Sequence, residues 1–381
     1  MDYIKRVKCW RANIAAMKKP SDDFERVRNH YMGIQIVRGK TPFLKDVLSA
    51  IFTPIMLFSL LVNNKKYVFI SDKDAVFTCP NKRFLFVASD LPAPLKKRYK
   101  NIEVIVDNHV QQKDYFNLCI DKIGLTIYWC FVKKYPLAFF MNLSVLIHIA
   151  RINKIIRLFN PTAILSTQTE QDFSSTAITY YCEIKGIKNI CIQHGEYTFN
   201  PTMAYLRFSE YWAWNNETVE LLEEVNTKIN FAKIFTPNRL RPQFYRCENP
   251  YYFISYYLED NEIELLNKIK EALEIFTRKD LKCKVRFHPR AKARENVINV
   301  FSHSAIDIED PFNVSLKESM INSRYIVGAL STVLTEAIIN GMDAVIDDVA
   351  VPIEYLELMS YVNLRRTPLR LSKIVNEVKN N

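Results

Sequence analysis

Short apolar runs alternate with longer helix-like stretches along most of this 381-residue chain. The alternation starts at about residue 66 and is typical of β-α-β units, in which buried parallel strands are joined by helices. The sequence therefore predicts an α/β fold with parallel sheets.

The first half of the chain contains five runs that resemble buried strands. They are Lys66–Ile70, Arg83–Ala88, Ile102–Val106, Ala163–Ser166 and Asn189–Gln193. A long helical region is predicted from about Tyr115 to Phe159, before Pro161. A second helix is predicted from Phe173 to Lys185, and Gly186 after it is typical of a helix C-cap.

A linker is predicted between Thr236 and Pro250, where three prolines interrupt the pattern. We therefore expect an N-terminal domain over residues 1–240 and a C-terminal domain over residues 241–381. The second series of predicted elements comprises strands Tyr251–Tyr257, Lys284–Phe287, Tyr325–Val327 and Ala344–Ile346, with helices Asn261–Thr277, Ser315–Asn322 and Thr332–Asn340.

The amino-acid composition and the N-terminal sequence exclude several classes of protein function. Only 7 of the residues are glycine, and neither glycine-rich phosphate-binding motif occurs. The 8 cysteines lack C-x-x-C spacing, which argues against zinc ribbons and redox pairs, so no metal is expected. The net charge is +11, but no nucleic-acid-binding motif accompanies it. The N-terminus lacks a secretory signal, so a cytoplasmic protein is expected.

Two apolar stretches raise the question of a membrane. Val47–Val62 is interrupted by Pro54, and Leu125–Ile149 carries Lys133 and Lys134 in its middle, so both are predicted to be buried or interfacial helices rather than spans. Together with the basic residues around Trp10 they could form a basic-aromatic surface for anionic lipid. Ordinary core helices and a solvated basic N-terminus are the alternative. The basic residues around Trp10 are Lys5, Arg6, Lys8, Arg11, Lys18 and Lys19.

Polar clusters follow four of the predicted strands, and ligands in open α/β sheets bind beyond the carboxyl ends of strands. The clusters in the first half are Gln168, Glu170 and Asp172 after one strand, and Gln193, His194, Gly195 and Glu196 after the next. Those in the second half are His288, Pro289 and Arg290, preceded by Arg286, and Ser331 and Thr332, followed by Glu336.

The second-half clusters are suited to a nucleotide. Ser331 and Thr332 at a helix N-terminus form an anion site. His288, Arg286 and Arg290 could donate to phosphate oxygens around the turn fixed by Pro289. Glu336, one turn along the helix, could accept from ribose hydroxyls. Helix caps and turns remain the structural alternative for each cluster taken singly.

The order of these motifs resembles the metal-independent GT-B glycosyltransferases of bacterial surface polysaccharides. The His-Pro element at 288–289 and the Ser-Thr element at 331–332 resemble the phosphate-binding motifs of the sialyltransferases and Kdo transferases, which use CMP-activated acidic sugars. Gln168-Thr169-Glu170 resembles the Gln-x-Glu element of the β-Kdo transferases. The Gln-His-Gly-Glu element at 193–196 is also common in such enzymes with other donors.

This resemblance implies two Rossmann-like domains that face each other across a cleft, with the acceptor on the N-terminal side and the nucleotide sugar on the C-terminal side. Glu170 is the first candidate for the catalytic base, followed by Glu196 and Asp172, with His194, Gln168, Gln193 and Gly195 at the sugar or acceptor. The implied donor is a CMP-linked acidic sugar, and the alternatives are a neutral NDP-sugar, a CDP-polyol for phosphotransfer, or a non-enzymatic membrane scaffold. The expected acceptor is a glycan, free or lipid-linked, at the anionic inner face of the cytoplasmic membrane.

Overall fold

The computed structural model describes residues 3–38, 43–64, 69–79, 82–106, 117–167, 175–258, 262–288, 294–360, 362–367 and 369–380. These residues divide into two compact units. The N-terminal unit contains the described parts of 8–194 and 199–237. The C-terminal unit contains the described residues from Asn238 onward, together with residues 3–7 and 195–198. The chain leaves the N-terminal unit and enters the C-terminal unit at Asn238, next to the predicted boundary at 240.

Elements before Asn238 build one sheet and its helices. The strands are β1 (Ala75–Cys79), β2 (Ile102–Val106), β3 (Ala163–Ser166), β4 (Lys188–Ile192), β5 (Arg207–Ala213) and β6 (Lys228–Ile234). The helices are α1 (Tyr3–Ala16), α2 (Asp23–Arg38), α3 (Phe43–Asn63), α4 (Leu85–Ser89), α5 (Ala93–Arg98), α6 (Lys122–Lys134), α7 (Phe139–Phe159), α8 (Ser175–Ile184) and α9 (Asn216–Glu224).

Elements after Asn238 build the second sheet. The strands are β7 (Tyr252–Tyr257), β8 (Cys283–Arg286), β9 (Ile306–Glu309), β10 (Ser323–Gly328) and β11 (Asp343–Ile346). The helices are α10 (Ile263–Thr277), α11 (Arg294–Phe301), α12 (Leu316–Ile321), α13 (Thr332–Ile339), α14 (Ile353–Leu358), α15 (Val362–Arg366) and α16 (Leu371–Asn380).

The N-terminal sheet is six-stranded with the order β2-β1-β3-β4-β5-β6, and its strand pairs are parallel. Apolar side chains of α2, α3, α6, α7 and α8 cover one face, where Val76 and Ile164 are buried. Residues of α4 and α5 cover the other face, where Phe77 and Leu165 are buried. Burial on both faces explains why β1 and β3 are largely apolar instead of alternating with polar residues.

The C-terminal sheet is five-stranded with the order β11-β10-β7-β8-β9, again with parallel pairs. One core contains α10, α11 and α16, and the opposite core contains α12, α13 and α14. The strands β7 and β10 are neighbours within the sheet. From β7 the chain continues outward to β8 and β9 on one side, and from β10 it continues to β11 on the other side. The prediction of an α/β protein with two parallel, Rossmann-like sheets is therefore confirmed.

One predicted strand is wrong, and another lies mostly outside the described residues. Residues 82–89 form a short 3-10 turn followed by α4 instead of the strand predicted at Arg83–Ala88, with Phe84 and Val87, three residues apart, buried. The first strand is instead β1. Phe69 and Ile70, the described end of the strand predicted at Lys66–Ile70, lie outside any strand.

Several elements were not predicted from the sequence. They are α1, α2, α5, β5, α9 and β6 before Asn238, and α11, β9, α14, α15 and α16 after it. The long helical region predicted from Tyr115 to Phe159 contains two helices, α6 and α7, on either side of Pro136. The remaining predicted strands and helices are confirmed to within two residues at each end, as far as the described residues extend.

Two helices are long and apolar enough to cross a membrane by length and composition alone: Leu44–Asn63 and Phe139–Phe159. The most apolar part of α7 is 61% buried, so α7 is a core helix of the N-terminal sheet. The corresponding part of α3 is only 22% buried. The predicted basic-aromatic surface stays a prediction. Within it, α7 belongs largely to the core, and α1 packs on the N-terminal unit, where the Tyr205 hydroxyl donates to the Ile14 carbonyl and Arg11 lies over the Phe199 ring.

Candidate functional site

A pocket of about 480 Å³ opens at the carboxyl ends of β7, β8 and β10. Tyr257 and Leu258 follow β7, Phe287 and His288 follow β8, and residues 330–333 follow β10. The strand order reverses between β7 and β10, and this is the point where open α/β sheets form a ligand crevice. Its volume lies in the range of small-molecule sites.

The N-terminus of α13 forms one wall of the pocket. Ser331 is the N-cap, and its hydroxyl accepts a hydrogen bond from the Val333 N–H at 3.3 Å. Ser331, Thr332 and Val333 all line the pocket. The first N–H groups of a helix and its dipole favour an anion, so this wall is suited to a phosphate group.

His288 lines the same pocket from the end of β8 and is partly exposed. It lies on the other side of β7 from Ser331, because β7 pairs with β10 on one edge and with β8 on the other. An imidazole N–H at this position could donate to a phosphate oxygen. Pro289 and Arg290, predicted to act with His288, lie outside the described residues.

Arg286 also lines the pocket, but its guanidinium is held by protein groups. One nitrogen donates to Glu309 Oε1 at 2.6 Å, and another donates to the Val314 carbonyl at 2.9 Å. The Lys284 ammonium donates to the other Glu309 oxygen at 2.5 Å. Arg286 is therefore a wall of the pocket fixed by a buried ion network, and its predicted role as a phosphate donor that flanks His288 stays a prediction.

Burial and ion pairing act in opposite directions on the pKa values of Glu309 and Lys284 in this network. Burial acts to raise the pKa of Glu309, but hydrogen bonds from Lys284, Ser319 and Arg286 outweigh burial and hold that pKa below its usual value. Burial lowers the pKa of Lys284, and Glu309 partly offsets the effect. The three side chains thus form one buried ion network beside the pocket.

Glu336 lies on α13, one turn beyond Ser331. Burial chiefly, and then the charges of Glu309 and Glu336, raise the pKa of the Tyr257 hydroxyl, which keeps that pocket residue neutral. The carboxylate of Glu336 is thus close enough to act on a wall of the pocket. Its predicted role at a ribose stays a prediction.

Glu196 is connected to the same helix. Its Oε1 accepts a hydrogen bond from the Thr335 hydroxyl at 2.9 Å, and the Asn363 amide donates to that hydroxyl at 2.9 Å. Both Thr335 and Asn363 are buried. Ser331 and Thr335 are four residues apart and share a helix face, about 6 Å along the axis. The Glu196 carboxylate is therefore fixed one helical turn from the α13 N-terminus that lines the pocket.

His194 belongs to the N-terminal unit. Its Nδ1 lies 3.0 Å from the Thr167 carbonyl oxygen, and the edge of its ring packs against Phe84 at 4.8 Å between centroids. A carbonyl only accepts, so Nδ1 carries the proton and Nε2 is the basic nitrogen of the neutral ring. This fixed tautomer suits a group that accepts a proton or a hydrogen bond.

Gln193 is only 1% exposed. Its Oε1 accepts from the Trp214 N–H at 2.7 Å, and its Nε2 lies 3.4 Å from the Thr218 hydroxyl. Gln193 therefore joins the ends of β4 and β5, and its predicted role in binding substrate stays a prediction. Gly195 has open space around the position of a Cβ, so the described fold does not itself require glycine there.

Gln168, Glu170 and Asp172, which include the first candidate for the base, lie outside the described residues, directly after β3. The sequence did not predict Thr335 and Asn363 as site residues, because only the three-dimensional structure brings them next to Glu196. Tyr257 and Leu258 were also missed, although they end a predicted strand and could have been found by the same switch-point reasoning. Within the described ranges, no group of three or more histidine, cysteine, aspartate or glutamate residues could hold a metal ion.

No protein-family model matches this sequence. A search of curated proteins finds no match either.

Solved structures with a similar fold do exist. The chain is similar to UDP-GlcNAc 2-epimerase of Methanocaldococcus jannaschii, with 16% identity and a TM-score of 0.43 over 71% of this chain and 83% of that one. It is also similar to MurG of Acinetobacter baumannii, with 10% identity and a TM-score of 0.45 over 81% of this chain and 90% of that one. The pneumococcal O-GlcNAc transferase GtfA is similar at 10% identity and a TM-score of 0.35, over 57% and 56% of the two chains. At these values the likeness concerns the fold alone.

Proposed function

We propose that this protein is a glycosyltransferase that uses a nucleotide-activated sugar. The observation that carries the proposal is the pocket at the switch point of the C-terminal sheet, where His288 and the α13 N-terminus form two anion-binding walls. The Glu196 carboxylate is held one turn along the same helix. A phosphate-binding pocket next to a fixed carboxylate provides the two functions that sugar transfer needs, namely stabilisation of a leaving phosphate and a base.

The preferred donor is a nucleoside-diphosphate sugar. His288 and Ser331 follow strands on opposite sides of β7, and two strand spacings are about 10 Å. A diphosphate reaches further between two such walls than a single phosphate does. A CMP-linked acidic sugar, which the His-Pro and Ser-Thr elements resemble, is the second candidate.

In the proposed reaction, the bond between the sugar C1 and the phosphate oxygen breaks, and a bond from C1 to an acceptor hydroxyl oxygen forms. The acceptor proton passes to the Glu196 carboxylate. The electron pair of the broken bond remains on the phosphate oxygen, where the N–H groups of α13 and the His288 imidazole stabilise the negative charge. We propose a glycan acceptor, lipid-linked and met at the inner face of the cytoplasmic membrane.

Ligand-dependent thermal unfolding tests the nucleotide pocket. Purified protein is melted with UDP, GDP, dTDP, CDP or CMP, because a ligand that binds only the folded state raises the melting temperature. At a hundredfold excess over Kd the stabilisation is about 2.7 kcal/mol. Stabilisation by a nucleoside diphosphate supports the preferred donor, and stabilisation by CMP alone moves the donor to an acidic sugar. No shift with any nucleotide contradicts the proposal and favours a scaffold.

The reaction itself is tested on the product. Incubation with the sugar form of the stabilising nucleotide and a glycan acceptor should give a new glycosidic bond and free nucleotide. A phosphodiester in the product, with release of CMP from a CDP-polyol, would contradict sugar transfer and identify a phosphotransferase instead.

A further inference from the structure

The outward face of α3 is a continuous apolar stripe. Its residues recur at spacings of three and four, which places them on one side of the helix. Each exposes about half of its side chain or more, and Ile51 and Phe58 expose 63% and 72%. The stripe consists of Leu44, Leu48, Ile51, Ile55, Phe58 and Val62.

The face of α3 that packs on the protein is the more polar one. Ser49 and Asn63 are buried there together with Met56 and Leu60. The Thr53 hydroxyl on the same side donates to the Ser49 carbonyl at 2.6 Å. This is the reverse of the usual arrangement of a helix on the surface of a protein in water, and a contiguous exposed apolar patch marks an interaction site.

Both ends of α3 are attached to α7. The Asp46 carboxylate accepts from the Phe140 N–H at 2.8 Å, and the Asn64 side chain that follows α3 accepts from the Arg157 guanidinium at 3.3 Å. Since α7 is a core helix of the N-terminal sheet, α3 lies against the folded unit along its whole length. This attachment leaves only its outer face available to lipid, so α3 suits an interfacial position and not a span.

The helices next to the stripe are basic: α7 packs against α3, and α6 packs against α7. Together α3, α6 and α7 carry seven lysine and arginine side chains and one carboxylate, Asp46, and Lys134 of α6 pairs with Asp22 of α2. Arg151, Lys154 and Arg157 follow one another along α7, next to α3. A positive flank beside an apolar face is complementary to a bilayer with anionic headgroups.

We propose that the outer face of α3 inserts into the interface of an anionic phospholipid bilayer. The helix lies parallel to the membrane plane, with the stripe among the upper acyl chains and the basic residues of α6 and α7 at the headgroups. This proposal rests on the surface of the N-terminal unit and does not depend on the reaction proposed for the pocket.

Vesicle flotation tests the proposal with the full chain. The vesicles contain phosphatidylcholine and phosphatidylglycerol in equal parts, or phosphatidylcholine alone. The wild type should float with the anionic vesicles and lose much of its binding at high salt. The double variant Ile51→Gln/Phe58→Gln should bind at least about tenfold more weakly, because two apolar side chains no longer enter the bilayer.

A matched control removes apolar surface elsewhere. Ile263 and Phe312 of the C-terminal unit are 55% and 66% exposed, and Ile263→Gln/Phe312→Gln should bind vesicles like the wild type. The variant Arg151→Gln/Lys154→Gln should lose about tenfold or more on anionic vesicles, since each basic residue contributes about 1 kcal/mol near such a surface. Each variant is first melted without lipid to confirm that it is folded.

Three results would overturn the proposal. The wild type could fail to float with anionic vesicles, or the Ile51/Phe58 variant could float as well as the wild type. Sedimentation could instead show a wild-type dimer that the same variant makes monomeric without any vesicle binding, in which case a second copy covers the stripe. Nucleotide-induced stabilisation should be unchanged in the α3 variants, which keeps this test separate from that of the pocket.

Discussion

Glu196 accepts a hydrogen bond from Thr335 at 2.9 Å, although 139 positions separate them along the chain. The bond connects Glu196 to the helix whose first residues line the pocket of the C-terminal sheet. Among the predicted carboxylates, Glu196 is therefore the one whose position next to the proposed donor site is known.

The variant Glu196→Gln should show whether Glu196 takes up the acceptor proton or only holds its place by binding Thr335. The glutamine carbonyl still accepts from Thr335, but an amide does not take up a proton at neutral pH. We expect nucleotide-induced stabilisation to persist while the rate of sugar transfer falls by about 10²–10⁴-fold. The measurement is release of nucleotide from the donor sugar in the presence of acceptor. Glu220→Gln on α9 is the matched control, and full activity in Glu196→Gln would mean that the carboxylate is not the base.

His288→Ala should remove the nucleotide-induced rise in melting temperature, because one of the two anion-binding walls is lost. His303 is an exposed histidine of the same unit that does not line the pocket. His303→Ala should therefore respond to nucleotide like the wild type. An unchanged shift in His288→Ala would show that the nucleotide binds elsewhere.

Ser331 offers a way to distinguish helix capping from anion binding. Ser331→Asp keeps an oxygen that accepts from the Val333 N–H, so the free energy of unfolding should change by less than about 1 kcal/mol. The new negative charge faces the phosphate position and should abolish nucleotide binding. Ser315, which caps α12 in a capping box, gives the control Ser315→Asp. Nucleotide binding retained by Ser331→Asp would mean that this helix end does not hold the phosphate.

The buried ion network should make stability depend on acid. The folded pKa of Glu309 is below its ordinary value of 4.5, so its contribution is present above that pH and is lost as the pH falls through the folded pKa. Glu309→Gln leaves Lys284 and Arg286 buried without their counter-charge and should cost about 3–5 kcal/mol near neutral pH. Denaturant unfolding between neutral pH and pH 4 or below measures both effects.

The control for this network is an exposed ion pair. Glu264 pairs with Lys268 at 3.2 Å with 82% of its side chain exposed. Glu264→Gln should change the free energy of unfolding by less than about 0.5 kcal/mol. A similarly small change in Glu309→Gln would show that the network contributes little to the stability of the C-terminal sheet.

Much of the C-terminal sheet could be predicted because its central strands are buried on both faces and are separated by clear helices. The pocket followed from the same reasoning, since β8 and β10 end in His288 and Ser331. The error at residues 83–88 has a physical reason: a short apolar run does not distinguish strand from helix. The edge strand β6 is exposed along most of its length although Ile229, Phe231 and Ile234 are apolar, so its sequence lacks the continuous apolar run of the central strands.

The details of the site depend on contacts that no local pattern contains. Gln193 and Glu196 are three residues apart in one motif, yet Gln193 is buried among N-terminal strands and Glu196 is bound to α13. Arg286 has the charge expected of a phosphate ligand, but two of its nitrogens donate to Glu309 and to the Val314 carbonyl, which fix the guanidinium in the wall. Only the three-dimensional structure separates side chains that face the pocket from those that support its walls.

The grouping of residues 195–198 with the C-terminal unit has a consequence for engineering. A chimera that exchanges donor specificity by a single cut at Asn238 would leave Glu196 in the wrong parent and pair it with a foreign α13. A functional hybrid must transplant two separate pieces of chain, or restore the partner of the carboxylate at the position of Thr335. Recombination at the obvious linker is thus disfavoured, and the two halves of this protein are expected to diversify together.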